Sequence, residues 1–88
     1  MARKLRVEKI GFYHILNRGV EKRKIFMNDE DNLKFLEILD DSATSYDFAI
    51  YSFCLMNNHY HLLLKTSQEN LSLVMRQINS RYSIYFNN

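Results

Sequence analysis

The hydrophobic positions change period several times along the chain, and each change marks an element. Phe12-Tyr13-His14-Ile15-Leu16-Asn17 is aromatic and β-branched and predicts a strand. Asn17-Arg18-Gly19 closes it, where glycine permits a turn or bulge. Lys24-Ile25-Phe26-Met27 predicts a second short strand after a basic loop. Asn28-Asp29-Glu30-Asp31 then starts a helix. Asn28 or Asp29 can cap the free N–H groups, and the acids oppose the positive helix end. Leu33, Leu36, Leu39 (with Ile38), Ala43 and Tyr46 recur at three- and four-residue steps, which predicts an amphipathic helix over roughly 30–45. Phe48–Met56 is short and β-favourable, and reads as a buried strand.

Asn57-Asn58 suits a two-residue hairpin turn, because asparagine tolerates the left-handed conformation. His59–Thr66 is then the return strand. Alternation puts His59, His61, Leu63 and Lys65 on one face and Tyr60, Leu62 and Leu64 on the other. Ser67–Asn70 can cap a last helix over roughly 70–86. At ~100° per residue, Leu71, Met75, Ile78, Tyr82 and Tyr85 fall within about 80° of arc, so Tyr82 looks towards the sheet.

Composition narrows the class. With 88 residues, 47% of them apolar and 25% charged, the chain reads as one small globular domain over residues 1–88, too ordered in composition for a disordered tail. No stretch approaches the ~18 apolar residues of a membrane span, and the N-terminus has no apolar core of a signal peptide. No membrane partner and a cytoplasmic location are expected. The single cysteine, Cys54, excludes an internal disulfide and reads as core.

Charge adds a direction. Residues 1–24 hold eight basic residues against two acidic ones, a net +6, and residues 1–9 read as a basic arm. The remainder carries a net −4, so the overall +2 hides an asymmetry. One end of the fold is expected to face a polyanion.

The chemistry centres on Asn58-His59-Tyr60-His61. Histidines at i and i+2 on a strand point the same way and can converge on one divalent cation, given a third ligand and water. A half-exposed strand face carries such a pair equally well. Tyr82 faces the sheet that holds the histidines. A phenol, with a pKa near ~10, attacks phosphorus only where the phosphate is polarised and aligned. A core tyrosine is the plainer alternative for Tyr82. His14 fits either a place near this site or the core.

Three segments resemble the single-tyrosine HUH transposases, most closely the REP-associated tyrosine transposases of bacteria. Tyr13-His14-Ile15-Leu16-Asn17-Arg18-Gly19, with Ile25-Phe26 beyond it, is similar to the family's opening strand. Leu55-Met56-Asn57-Asn58-His59-Tyr60-His61-Leu62-Leu63-Leu64 resembles its His-hydrophobic-His block, with Asn57 where proline is frequent. Arg81-Tyr82-Ser83-Ile84-Tyr85-Phe86-Asn87 resembles the block of its nucleophile.

The resemblance implies an α+β, ferredoxin-like antiparallel sheet with two helices packed on it. It also implies that the family's further basic segment is missing beyond Asn88. The implied reaction is cleavage and rejoining of single-stranded or hairpin DNA through a 5′-phosphotyrosine. Tyr82 is the implied nucleophile and Tyr85 its rival. His59 and His61 would hold Mg²⁺ or Mn²⁺. The third ligand is open, since Phe86 occupies the position where relatives carry it, and Asn79 and Asn87 lie badly. Arg3, Lys4, Arg6, Arg18, Lys22, Arg23 and Lys24 are the expected phosphate contacts. Tyr13 and Tyr51 are candidates for stacking on bases. Some relatives exchange the tyrosine helix, so a homodimer is one expectation. A transposase-derived DNA-binding module without turnover is the alternative function.

Overall fold

The computed structural model describes residues 9–87. Arg3, Lys4 and Arg6, and all of the expected basic arm except Lys9, lie outside the described residues. The elements are β1 (Phe12–Arg18), a single 3₁₀ turn (Val20–Lys22), α1 (Asp29–Tyr46), β2 (Phe48–Met56), β3 (His59–Thr66) and α2 (Leu71–Phe86). Asn28 caps α1 by accepting from the Asp31 amide at 3.0 Å, and Asp31 Oδ2 accepts from the Met27 amide at 2.9 Å. This reciprocal arrangement satisfies donors at both sides of the helix start. Asp47 ends α1 in the left-handed conformation at φ 56°.

The sheet order is β1-β3-β2, with β3 antiparallel to both neighbours. α1 therefore crosses from one sheet edge to the other, and β3 fills the gap between them. With α2 this is an α+β fold holding the first five elements of the ferredoxin-like order. Both helices pack on one face. Tyr60, Leu62, Leu64 and Thr66 of β3 are buried there with Phe35, Ile38 and Leu39 of α1 and Val74, Ile78 and Tyr82 of α2. The other face is open: His14, Leu16 and Arg18 of β1 and Lys65 of β3 are exposed on it, and His59, His61 and Leu63 are half-buried.

Four expectations need correction. Residues 24–27 form no strand. The Ile25 and Phe26 amides both donate to the Asn57 carbonyl, at 2.6 and 3.1 Å, and Phe26 plugs the core against Phe35 and Tyr82. Burial of one large ring outweighs extending the sheet. The second correction is β2, which is an edge strand rather than a buried one. Its Tyr51, Phe53 and Met56 are exposed, and Cys54 is a surface thiol, not core. On α1, Phe35 is fully buried while Leu33 is 66% exposed, so the buried stripe is rotated from the leucine spacing. At α2, the Asn70 side chain caps nothing and instead donates to the Tyr46 carbonyl at 3.3 Å.

Candidate active site

His59 and His61 project from β3 onto the open face, their rings 5.2 Å apart and nearly perpendicular at 82°. His59 Nδ1 lies 2.7 Å from Asn58 Oδ1. A carbonyl oxygen only accepts, so Nδ1 carries the hydrogen and Nε2 is left with its lone pair. His61 Nδ1 lies 3.2 Å from His14 Nε2, and those two rings stack at 9° with centroids 5.2 Å apart. In both histidines, Nδ1 is engaged by a neighbour and Nε2 is the remaining nitrogen. Desolvation first, then the neighbouring His14, His59 and Arg18, hold the His61 imidazole below its usual range.

His14 is the residue that sequence reading left unassigned. Its place follows from register: His14 pairs with Leu63 and Leu16 with His61, so His14 sits one row along on the same face. The alternation of β1 contained that signal, but the pairing partner did not show in the sequence.

Two of the expected basic residues, Arg18 and Lys22, meet at the turn end of this face. Arg18 lies opposite His59 in the β1–β3 register. Arg18, Gly19, Lys22, Asn58 and His59 line a cleft of about 30 Å³. Glycine is required at 19 because a Cβ there would stand 2.2 Å from the Arg23 carbonyl oxygen. The chain doubles back so tightly that Glu21 and Lys22 both adopt left-handed conformations, at φ 54° and 61°. Gly19 donates to the Asn58 carbonyl at 2.9 Å, so this loop braces the turn that carries His59. Arg23 and Lys24 follow, both exposed.

Tyr82 is not with the imidazoles. It is buried between the helices and the sheet, 8% exposed, with its ring against Phe26 and Phe35 at 5.3 and 5.5 Å. Its hydroxyl donates to the Ile25 carbonyl. Phe35 in turn contacts Tyr60, whose side chain leaves β3 on the side opposite His59 and His61. The helix face was therefore read correctly from spacing, but the sheet has two faces and the tyrosine meets the other one. Burial, then the Asp31 charge and Tyr85, push the Tyr82 phenol well above its usual range. Tyr85 donates to Asp31 Oδ1 at 2.7 Å, and that bond is the first cause raising its own phenol.

Among the described residues no third ligand joins the two histidines. Asn79 Oδ1 accepts from the Tyr60 hydroxyl at 2.7 Å and from Asn17 Nδ2 at 3.1 Å, both part-buried bonds on the helix side of the sheet. Phe86 packs on Tyr82 with ring centroids 5.8 Å apart. Among the described residues no group of three His, Cys, Asp or Glu side chains is arranged to hold a metal ion. Nor, among them, is any helix long and apolar enough to cross a membrane.

A family model described as "Transposase IS200 like" matches residues 9–88. It spans every element from the start of β1 through α2, including the histidines and both tyrosines. No curated protein matches the chain significantly.

Proposed function

Because the chain belongs to the IS200-like transposase family, we propose that it cleaves and rejoins single-stranded DNA at a phosphate held on the open sheet face, with Tyr82 as nucleophile. The observation that carries this reading is the imidazole pair. The Nε2 lone pair of His59 sits beside Arg18 and Lys22, His61 projects next to it on the same face, and no strand of the sheet contains an acid. A phosphodiester is the complementary ligand.

The donor set fits a divalent cation. Two oriented imidazoles leave the rest of a coordination shell to water and to a phosphate oxygen. Imidazole nitrogen is a softer donor than Mg²⁺ prefers, so Mn²⁺ suits the pair better than Mg²⁺. When bound, the cation neutralises charge that builds on the phosphate oxygens during displacement. Arg18 and Lys22 orient the same phosphate. Asn58 and His14 hold the two imidazole rings in position.

In the chemical step the Tyr82 oxygen bonds to phosphorus and the bond from phosphorus to the 3′ oxygen breaks. The phenolic proton lost is matched by the one gained at the departing 3′-hydroxyl. The 5′ end stays on tyrosine with its bond energy conserved, so a second 3′-hydroxyl can reverse the step without a nucleotide cofactor. Tyr82 must first leave the Ile25 carbonyl and reach the imidazole face. Displacement of α2 from its own sheet, or delivery of α2 by a second copy in a homodimer, would achieve this. The likeness of the His59–His61 and Tyr82–Asn87 blocks favours the REP-associated branch, and hence DNA near a hairpin.

A second reading has its own support. Tyr82 is buried, hydrogen-bonded and remote from the imidazoles, as a DNA-binding module without turnover requires. One assay separates the two. The protein is incubated with labelled single-stranded hairpin DNA and Mn²⁺, and a denaturing gel is searched for a covalent adduct. An adduct absent from Tyr82→Phe supports the transposase chemistry. DNA binding without adduct under any divalent cation supports the module.

A further inference from the structure

The open sheet face continues past the imidazoles to a pair of aromatic rings that the site does not use. Phe12 at one edge and Tyr51 at the other lean across β3 until their ring centroids are 5.0 Å apart, at 61°. They are 58% and 57% exposed. Between them Lys65 extends its ammonium over the Phe12 ring, 5.4 Å from the centroid. Leaving two large rings in water is unfavourable, and among the described residues no helix covers them. The strands that carry them hold charge of one sign. The strand residues include Arg18 and Lys65 but neither aspartate nor glutamate, whereas the acids among the described residues lie on α1 and in loops.

We propose that Phe12, Tyr51 and Lys65 form a stacking platform for an unpaired base of the same single strand whose phosphate lies at His59 and His61. This rests on the DNA-cleavage reading of the imidazole face. A ligand that is both anionic and aromatic suits a cation set among exposed rings. Its bases must be unpaired, because those of a duplex already stack on one another. The spacing agrees. Lys65 follows His61 by four residues on β3, or ~13 Å along an extended strand. That is about four nucleotide steps at the duplex rise of ~3.4 Å per strand, and fewer when the strand is drawn out. The platform therefore holds the strand a few nucleotides from the cleaved phosphate. Lys65 anchors the adjoining phosphate, and sequence preference there is weak, since every base has a π-face. Tyr13, the other stacking candidate, turns into the half-buried side and donates to the Lys9 carbonyl, so it contributes nothing to this surface.

The test uses the full chain and a fluorescein-labelled oligothymidylate in fluorescence anisotropy, with Phe12→Ala/Tyr51→Ala as the variant. Both positions are exposed, and circular dichroism and melting verify the fold. Phe12→Tyr/Tyr51→Phe keeps the rings and is expected to bind like wild type. The alanine variant is expected to bind at least about fivefold more weakly, with its salt dependence unchanged because phosphate contacts remain. An oligonucleotide of abasic sites should bind wild type and variant alike. Equal binding of oligothymidylate by wild type and the alanine variant overturns the platform while leaving the cleavage reading intact. Absence of any binding by wild type at low salt overturns both. A variant that dissociates a dimer in sedimentation yet keeps its affinity per subunit shows that a second copy covers the rings, which also overturns the platform.

Discussion

Tyr82 and His61 lie on opposite faces of one β-sheet, with β3 between them. His61 projects to the open side, while Tyr82 packs against Phe35, which touches Tyr60 on the helix side of the same strand. Polar contacts help hold α2 in place, beside the Arg81–Asp41 ion pair to α1 at 3.3 Å. Asn79 accepts from Tyr60 and Asn17, Tyr82 donates to Ile25, and Tyr85 donates to Asp31. These bonds park the proposed nucleophile away from the proposed phosphate. Loosening them is expected to lower stability and speed adduct formation together.

Asn79→Ala is the cleanest probe of that relationship. It strips the Tyr60 hydroxyl of its acceptor and is expected to destabilise the fold by about 1–3 kcal/mol. If release of α2 limits the reaction, the initial rate of adduct formation per folded molecule rises above wild type at a temperature where both are folded. Time courses on denaturing gels, set against melting curves, check this. A rate that falls along with stability contradicts the parked state.

The two candidate phenols separate by substitution. Tyr82→Phe removes one hydrogen bond to a carbonyl, expected to cost about 1 kcal/mol, and abolishes the adduct. Tyr85→Phe leaves Asp31 Oδ1 without its phenolic donor, but the adduct persists. Mass spectrometry of the linked peptide identifies the tyrosine. Attachment at Tyr85 would reverse the assignment.

Alkaline pH bears on Tyr82 directly. Its phenol is raised in the fold, chiefly by burial, against an unfolded value near ~10. A group raised on folding stabilises the fold fully below its unfolded pKa. Above about pH 10 the unfolded chain releases the proton first, so stability declines as pH rises further. Melting temperatures measured from pH 8 to 11 are expected to be level and then fall (limits set around the ~10 of a free phenol). Tyr82→Phe should fall less steeply, though Tyr85 and Tyr60, also raised, keep part of the decline.

The ring nitrogens give a prediction about metal rather than catalysis. Asn58 and His14 engage His59 and His61 from behind. Partners of this kind typically change metal affinity by about 10–100-fold when removed. Asn58→Ala and His14→Ala should each weaken Mn²⁺ binding in calorimetry by that order, with the fold intact by circular dichroism. Unchanged affinity in both would show that these contacts do not orient the rings.

Much of this architecture was legible in the residues. The runs Phe48–Met56 and His59–Thr66 and the intervening asparagines gave the hairpin its limits, because alternation and turn chemistry are local properties. The faces of β3 were legible for the same reason. What stayed hidden depends on pairing and depth. His14 joins His61 only through the β1–β3 register, and Phe12 meets Tyr51 only across a third strand. Tyr82 was correctly turned towards the sheet, but nothing local says which side of the sheet α2 covers. Ile25-Phe26 has the composition of a strand, and the aromatic cluster with Phe35 and Tyr82 claims it for the core instead.

The loop over residues 19–26 links that core to the imidazoles, which makes Gly19 the position where a small change should be felt at both. A Cβ at 19 would lie 2.2 Å from the Arg23 carbonyl oxygen, and backbone rather than a flexible side chain would have to move. The same loop donates to the Asn57 and Asn58 carbonyls through Ile25, Phe26 and Gly19, and it carries Phe26 into the aromatic cluster. Gly19→Ala is therefore expected to destabilise the protein by about 1–3 kcal/mol through overpacking. Because Asn58 Oδ1 orients His59, it should also weaken Mn²⁺ binding in the population that remains folded. Val20→Ala is the control, since Val20 is 76% exposed on the same turn and should alter neither quantity. Melting curves and calorimetry on the two variants decide it. A Gly19→Ala protein with wild-type stability and wild-type Mn²⁺ affinity would show that the loop does not brace the histidine turn.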